Sequence, residues 1–189
     1  MSAIIDNLKD AGPVAAAVAR RRDLTAWMAS RPIILATMSL HETGLLLNTS
    51  VDGSLKQLAE LKVATLVECE FCIDLGAALA DRRAVAPQKV IDLPRFRESD
   101  AYTDLERLVL ELADRMTRTP AEGLDPLREE LLAHLTRAQF VELVEVIAWE
   151  NKRARMNKAL GVGSAGLSED AVCALPAPRG STAAEPPAE

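Results

Sequence analysis

Large rings are scarce in this chain: six of its 189 residues are Phe, Trp or Tyr. A core of ordinary size must therefore be filled with Ala, Leu and Val, a mixture that favours helix over sheet. An excess of positive charge is missing too. Twenty-two Lys and Arg stand against 28 Asp and Glu, a formal charge of −6, which gives no electrostatic footprint for nucleic acid or for an anionic membrane. Long apolar runs are absent: Ile33 to Thr37 and Thr43 to Leu47 break off well before the roughly 20 residues that cross a bilayer. Met1 to Lys9 lacks the basic-then-apolar order of a secretory signal. Neither nucleic acid nor membrane is expected as a partner, and the expected location is the cytoplasm. Three cysteines are too few, and odd in number, for a secreted disulfide scaffold. In a reducing compartment a close cysteine pair is instead catalytic, redox-sensing or metal-binding.

What is present is helical. Ser54 with Gln57, Thr103 with Glu106, and Thr136 with Gln139 each have capping-box spacing before an apolar run. Asp125-Pro126 reads as a further helix start. After Thr103, residues Leu105, Leu108, Val109, Leu112 and Met116 recur at helical spacing and leave Glu106, Glu111 and Arg115 for solvent. Phe140, Val141, Val144, Ile147 and Ala148 form a similar stripe after Thr136, in a helix that Gly161 ends. Val14 to Ala29 and Pro32 to Leu47 read as two earlier helices, with Gly53 at the turn that follows. Ala84 to Arg97, with Pro87 and Pro94, reads as a connector around a short helical turn at Gln88 to Ile91. Beyond Ala174, Pro, Ala, Gly, Ser and Glu dominate, and a disordered tail is expected. The expected fold is an all-α bundle of about seven or eight helices.

The chemistry concentrates in Gln57 to Gly76, which contains Cys69-Glu-Phe-Cys72. On a continuous helix the two cysteines are three residues apart on one face, close enough to cycle between dithiol and disulfide. Attack requires a thiolate, so a thiol near pKa ~8.5 must be shifted down by a cation or a helix N-terminus. Glu68, Glu70 and Asp74 oppose that shift, and Lys62, two turns before Cys69, favours it. The bland alternative is that both cysteines fill core space. A zinc site would need four ligands, and Cys173, His41 and His134 offer no paired spacing, so no metal and no cofactor is expected. Cys173 reads as a packed small residue, and His41 and His134 as structural histidines.

Leu58 to Gly76, an apolar helix leading into Cys-Glu-Phe-Cys, resembles the core motif of the alkylhydroperoxidase D-like (AhpD-like) branch of the carboxymuconolactone decarboxylase superfamily. Glu150-Asn-Lys-Arg-Ala-Arg-Met-Asn157, followed by Ala-Leu-Gly161, is similar to that family's helix ending in an Arg-x-Asn segment before a Gly-rich turn. The likeness spans roughly Leu40 to Cys173. With the helix pattern it divides the chain into N-terminal helices over residues 1–53 packing on a family-like core domain at 54–174 and a tail at 175–189, and the resemblance implies assembly into a homo-oligomer, a trimer or hexamer. It also implies that Cys72 attacks a peroxide or disulfide substrate, that Cys69 resolves the intermediate, and that a dithiol or lipoyl-type partner supplies the electrons.

Two positions depart from that pattern. The family's relay glutamate falls on Gln57 and its relay histidine on Gly76, and neither side chain moves protons at neutral pH. Gln57 reads as part of the Ser54 capping box, and Gly76 as relief where helices cross. Glu60 and Asp74 are poorly placed to replace the relay, while Asn151, Arg153 and Asn157 read as packing or subunit contacts that could line a pocket. Thiol-dependent peroxidase or disulfide reductase activity is the leading expectation. A cofactor-free enzyme acting on a small lactone acid, or a helical oligomer that senses redox state, are the alternatives.

Overall fold

The computed structural model describes residues 26–164. Cys173, the tail beyond Ala174 and all but the last residues of the expected Val14–Ala29 helix lie outside the described residues. Within them the chain is all-α: α1 (Pro32–Leu47), α2 (Gly53–Val67), α3 (Glu70–Ala80), α4 (Pro87–Asp92), α5 (Asp104–Thr117), α6 (Leu124–Leu132) and α7 (Arg137–Ala159), with 3₁₀ turns at Asp81–Arg83 and Leu93–Arg95. No described helix is long and apolar enough to cross a membrane.

The middle of the bundle is α2, which packs on α3, α5 and α7. One side, through Leu55, Ala59 and Val63, joins Val109, Leu112, Leu131, Leu143 and Ile147 in the main core. Its other side, through Leu58 and Leu61, meets Val85, Val90, Leu93, Phe96 and Leu110. A helix buried on nearly every side cannot leave its polar residues in water, and each here has a partner. Lys56 Nζ donates to Glu142 Oε1 at 2.8 Å and to the Asn48 carbonyl at 2.7 Å. Lys62 lies 3.3 Å from Asp114 and over the Phe96 ring. Gln57 Nε2 donates to the Gly76 carbonyl at 3.0 Å.

Capping chemistry sets several boundaries. Thr103 with Glu106 and Thr136 with Gln139 form complete capping boxes, as their spacing predicts. The Ser54 box does not form. Asp52 caps α2 instead, accepting from the Ser54 N–H at 2.7 Å, which frees Gln57 for the interior. Helix α6 begins at Leu124 behind Gly123 (φ +68°), one residue before the Asp125-Pro126 signal. Glu106, expected in solvent, is buried because its carboxylate closes the capping box and pairs with Lys89. The expected connector is more than a link: Val85, Val90, Leu93 and Phe96 build a core cluster of their own.

Candidate functional site

The cysteine segment is not one continuous helix. Helix α2 ends at Glu68, whose backbone is left-handed (φ 57°, ψ 43°), while the Cys69 N–H bonds back to the Ala64 carbonyl at 3.0 Å. That is the hydrogen-bond pattern of a Schellman stop, and a non-glycine residue there carries of order 1–3 kcal/mol of strain. The stop turns the chain so that Cys69 becomes the N-cap of α3 and Cys72 sits in its first turn. The pair is therefore brought together by a helix start rather than by a shared helical face.

The two sulfurs, both free thiols, are 2.6 Å apart. Cys69 Sγ also accepts from the Cys72 backbone N–H at 3.3 Å. Asn157 Nδ2, arriving from α7, stands 3.5 Å from Cys72 Sγ and 4.0 Å from Cys69 Sγ. These donors lower the Cys69 thiol below its ordinary pKa, with the bond from Cys72 the largest cause. Cys72 moves the other way. Its bond to Cys69 and its burial raise it, and the neighbouring Glu150 carboxylate adds to the effect. Access runs opposite to acidity: Cys69 is sealed among Phe71, Ala154 and Val162, whereas Cys72 is part-exposed and lines a cavity of about 540 Å³.

Helices α1, α2, α3 and α7 enclose that cavity, with apolar walls from Leu35, Met38, Phe71, Leu75 and Trp149. Its polar side is a stripe on α7. Glu150, Arg153 and Asn157 stand three and seven residues apart, on one helical face, and all three line the cavity beside Cys72. The Arg153 guanidinium reaches Glu42 of α1 at 2.7 Å, Glu60 of α2 at 3.1 Å, and Glu150. Burial opposes its charge, but the three carboxylates hold it protonated above the usual arginine range. Glu150 is 3% exposed, and burial pushes its carboxyl up to about 7. Arg153 opposes that shift and Glu60 adds to it.

Lys62 and Glu60 depart from expectation, and the other candidate residues take definite places. Lys62 does not face the cysteines, because Asp114 and Phe96 engage it on another side of α2. Glu60 lines the cavity rather than standing apart, since α2 rotates it toward Arg153. Asp74 is buried and accepts from Ser164 Oγ at 3.0 Å. Asn151 lies off the cavity, donating to Thr117 Oγ1 and the Ile147 carbonyl. His41 packs on Trp149 with ring centroids 4.0 Å apart, and His134 is exposed, so neither reaches the sulfurs. Gln57 and Gly76 both line the cavity and are bonded to each other. Among the described residues no three His, Cys, Asp or Glu side chains group as metal ligands do.

The sequence reading gave Glu150 no place of its own, yet it is buried and lines the cavity beside Cys72. The signal was there: a polar stripe at i, i+3 and i+7 beside Val146 and Trp149 on a helix otherwise read for its apolar face.

Fold and site together define a class: an all-α protein with a vicinal thiol pair at a helix N-terminus, opening on a cavity closed by the last long helix. Residues 32–115 match the model of the carboxymuconolactone decarboxylase family. The chain is 30% identical over 154 residues to the uncharacterized protein YnjA of Escherichia coli, covering 81% of this chain and 82% of that one. It belongs to the carboxymuconolactone decarboxylase family. Two solved structures share the fold. The debrominase Bmp8 matches with a TM-score of 0.69 at 19% identity, over 86% of this chain and 91% of that one. An uncharacterized peroxidase-related protein from Ralstonia eutropha, with an alkylhydroperoxidase AhpD core, matches at 0.65 and 15% identity, over 75% and 76%.

Proposed function

We propose that this chain is a thiol-dependent oxidoreductase that reduces a small peroxide or disulfide through Cys72 and Cys69. One observation carries the reading: Cys72 lines a 540 Å³ cavity and has a second free thiol 2.6 Å behind it, at a helix N-terminus. With a hydroperoxide, Cys72 loses its proton and its sulfur attacks the terminal peroxide oxygen. The O–O bond breaks, an alcohol leaves with one proton, and Cys72 becomes a sulfenic acid. The Cys69 thiol then attacks the Cys72 sulfur, the S–O bond breaks, and water leaves with the Cys69 proton. Two thiols have given two electrons and joined as a disulfide. An external dithiol, of lipoyl type, restores them by exchange and is itself oxidised.

The arrangement supports this assignment of roles because the substrate can reach only Cys72, while Cys69 is positioned to close the second bond. Asn157 Oδ1 and Gln57 Oε1 are buried on the cavity wall without a partner among the described residues, so they offer acceptors to a substrate O–H. The lactone-acid reading is less well served: Arg153, on the cavity wall beside Glu150, is already engaged by three carboxylates. Assembly into a homo-oligomer belongs to the proposal as well, supported by the exposed Ile33, Leu40, Leu46 and Leu47 of α1.

The test is a thiol titration of the reduced protein after exposure to tert-butyl hydroperoxide. Two thiols should disappear and return with dithiothreitol. Unchanged consumption in Cys72→Ser would overturn the reading, and lactone-acid turnover surviving in the double cysteine variant would favour the alternative.

A further inference from the structure

The attacking thiol is the member of the pair whose proton is held more tightly, so attack requires a group to take that proton. Gln57 and Gly76, where the family places its relay, cannot do so. Nor can a histidine be accommodated at position 76 without rearrangement, since even a Cβ there would lie 2.6 Å from Leu61 Cδ2.

We propose that Glu150 is the general acid–base residue of this site, taking the Cys72 proton from its place on the opposite cavity wall. The inference rests on the thiol-oxidoreductase reading and adds its missing proton carrier. The geometry supports it: Glu150 lines the same cavity as Cys72, and Asn157, two turns further along the same face of α7, stands 3.5 Å from the Cys72 sulfur and 4.0 Å from the Cys69 sulfur. Arg153 holds the carboxylate in place, and is itself anchored on α1 by Glu42 and on α2 by Glu60. The charged and titratable groups facing Glu150 are therefore Arg153 on its own helix, Glu60 from α2, Cys72 with Cys69 from the α3 start, and Glu42 from α1 through Arg153. Lys56 lines the same cavity but is paired with Glu142.

The proton balance closes. Glu150 as carboxylate accepts the Cys72 proton, and the thiolate breaks the O–O bond. The protonated Glu150 returns its proton to the departing alkoxide, leaving alcohol, Cys72 sulfenic acid and a regenerated carboxylate. A carboxyl poised near 7 is half-ionised where the reaction would run, which suits both halves of that exchange.

The experiment follows tert-butyl hydroperoxide reduction against pH in wild type, Glu150→Gln and Cys72→Ser, with dithiothreitol as reductant, and the alkylation of Cys72 by iodoacetamide read by peptide mass spectrometry. Wild type should gain rate with a rising limb near pH 7. Glu150→Gln should lose that limb and slow peroxide reduction at least tenfold at pH 7 without slowing Cys72 alkylation, because removing the carboxylate eases thiolate formation, while Cys72→Ser abolishes turnover. If Glu150→Gln keeps the wild-type rate and limb while Cys72→Ser is dead, the inference fails and the oxidoreductase reading stands. If Cys72→Ser turns over like wild type, the reading itself fails. Should Glu150→Gln not fold, infrared titration of wild type decides. A buried protonated-carboxyl band that fades near pH 7 and shifts on Cys72 alkylation supports the role of Glu150, and its absence overturns it.

Discussion

Gln57 Nε2 donates to the Gly76 carbonyl across 3.0 Å, so the two positions onto which the sequence resemblance carries a proton relay are bonded to each other. The bond ties α2 to α3 where they come closest, and Leu61 fills the space above Gly76. Absence of a side chain at 76 thus has a packing cause. Gly76→Ala should destabilise the protein by about 1–3 kcal/mol through overpacking against the buried Leu61. Urea denaturation checks it, and a neutral outcome would show that the crossing is looser than drawn.

Restoring the family residue at position 57 should not restore a relay. Gln57→Glu replaces the donor to Gly76 with a buried carboxylate facing a carbonyl oxygen, a loss of about 1–3 kcal/mol when ionised. Burial raises the folded-state pKa of such a group, so the variant should be least stable at alkaline pH. Hydroperoxide turnover should not exceed that of wild type, and a clear gain would contradict this account of the crossing.

The raised carboxyl of Glu150 also has a stability signature. Its pKa moves from 4.5 to about 7, so the native state holds the proton more tightly than the unfolded chain. The resulting contribution is complete below pH 4.5 and is lost as pH rises through 7. Over that window the loss amounts to about 3 kcal/mol, at 1.36 kcal/mol per pKa unit. Glu150→Gln cannot lose a proton, so relative to wild type it should gain stability between pH 5 and pH 8. Chemical denaturation at the two pH values measures the difference, and equal slopes for both proteins would contradict the assignment.

Lys62 separates stability from chemistry. With side chains 7% and 3% exposed, Lys62 and Asp114 form a buried pair, but Asp114 keeps Arg118 when the lysine is removed. Lys62→Met should therefore destabilise by about 2 kcal/mol, less than the roughly 3–5 kcal/mol of a buried charge left alone. Cys72 alkylation should be unchanged, because Lys62 faces away from the sulfurs; a slower reaction would return this lysine to the thiol site.

The capping boxes give a local control. Thr103→Ala removes the acceptor for the Glu106 N–H at 3.3 Å and should destabilise by about 1 kcal/mol, with no effect on thiol oxidation. Thermal melting reports the first effect, and hydroperoxide turnover the second.

Helix content, the starts at Thr103 and Thr136, the end at Gly161 and the closeness of Cys69 to Cys72 were all legible from residue order. Each depends on interactions within a few residues: a side chain closing on a nearby backbone N–H, a glycine taking positive φ, an apolar stripe at helical period. Whether Ser54 or Asp52 caps α2 could not be read this way, because both are good caps within one turn and tertiary packing draws Gln57 inward. The break at Glu68 was hidden for a related reason: a glutamate in left-handed backbone carries no glycine signal, and the surrounding helices hold it there.

What only the tertiary structure decided is which distant residues share the cavity with Cys72. Glu42, Glu60, Glu150, Arg153 and Asn157 come from three helices, and a polar residue on a helix looks the same in sequence whether it faces water or a thiol. Burial and the partner across the gap set its chemistry, and both depend on how α1, α2 and α7 close over the start of α3.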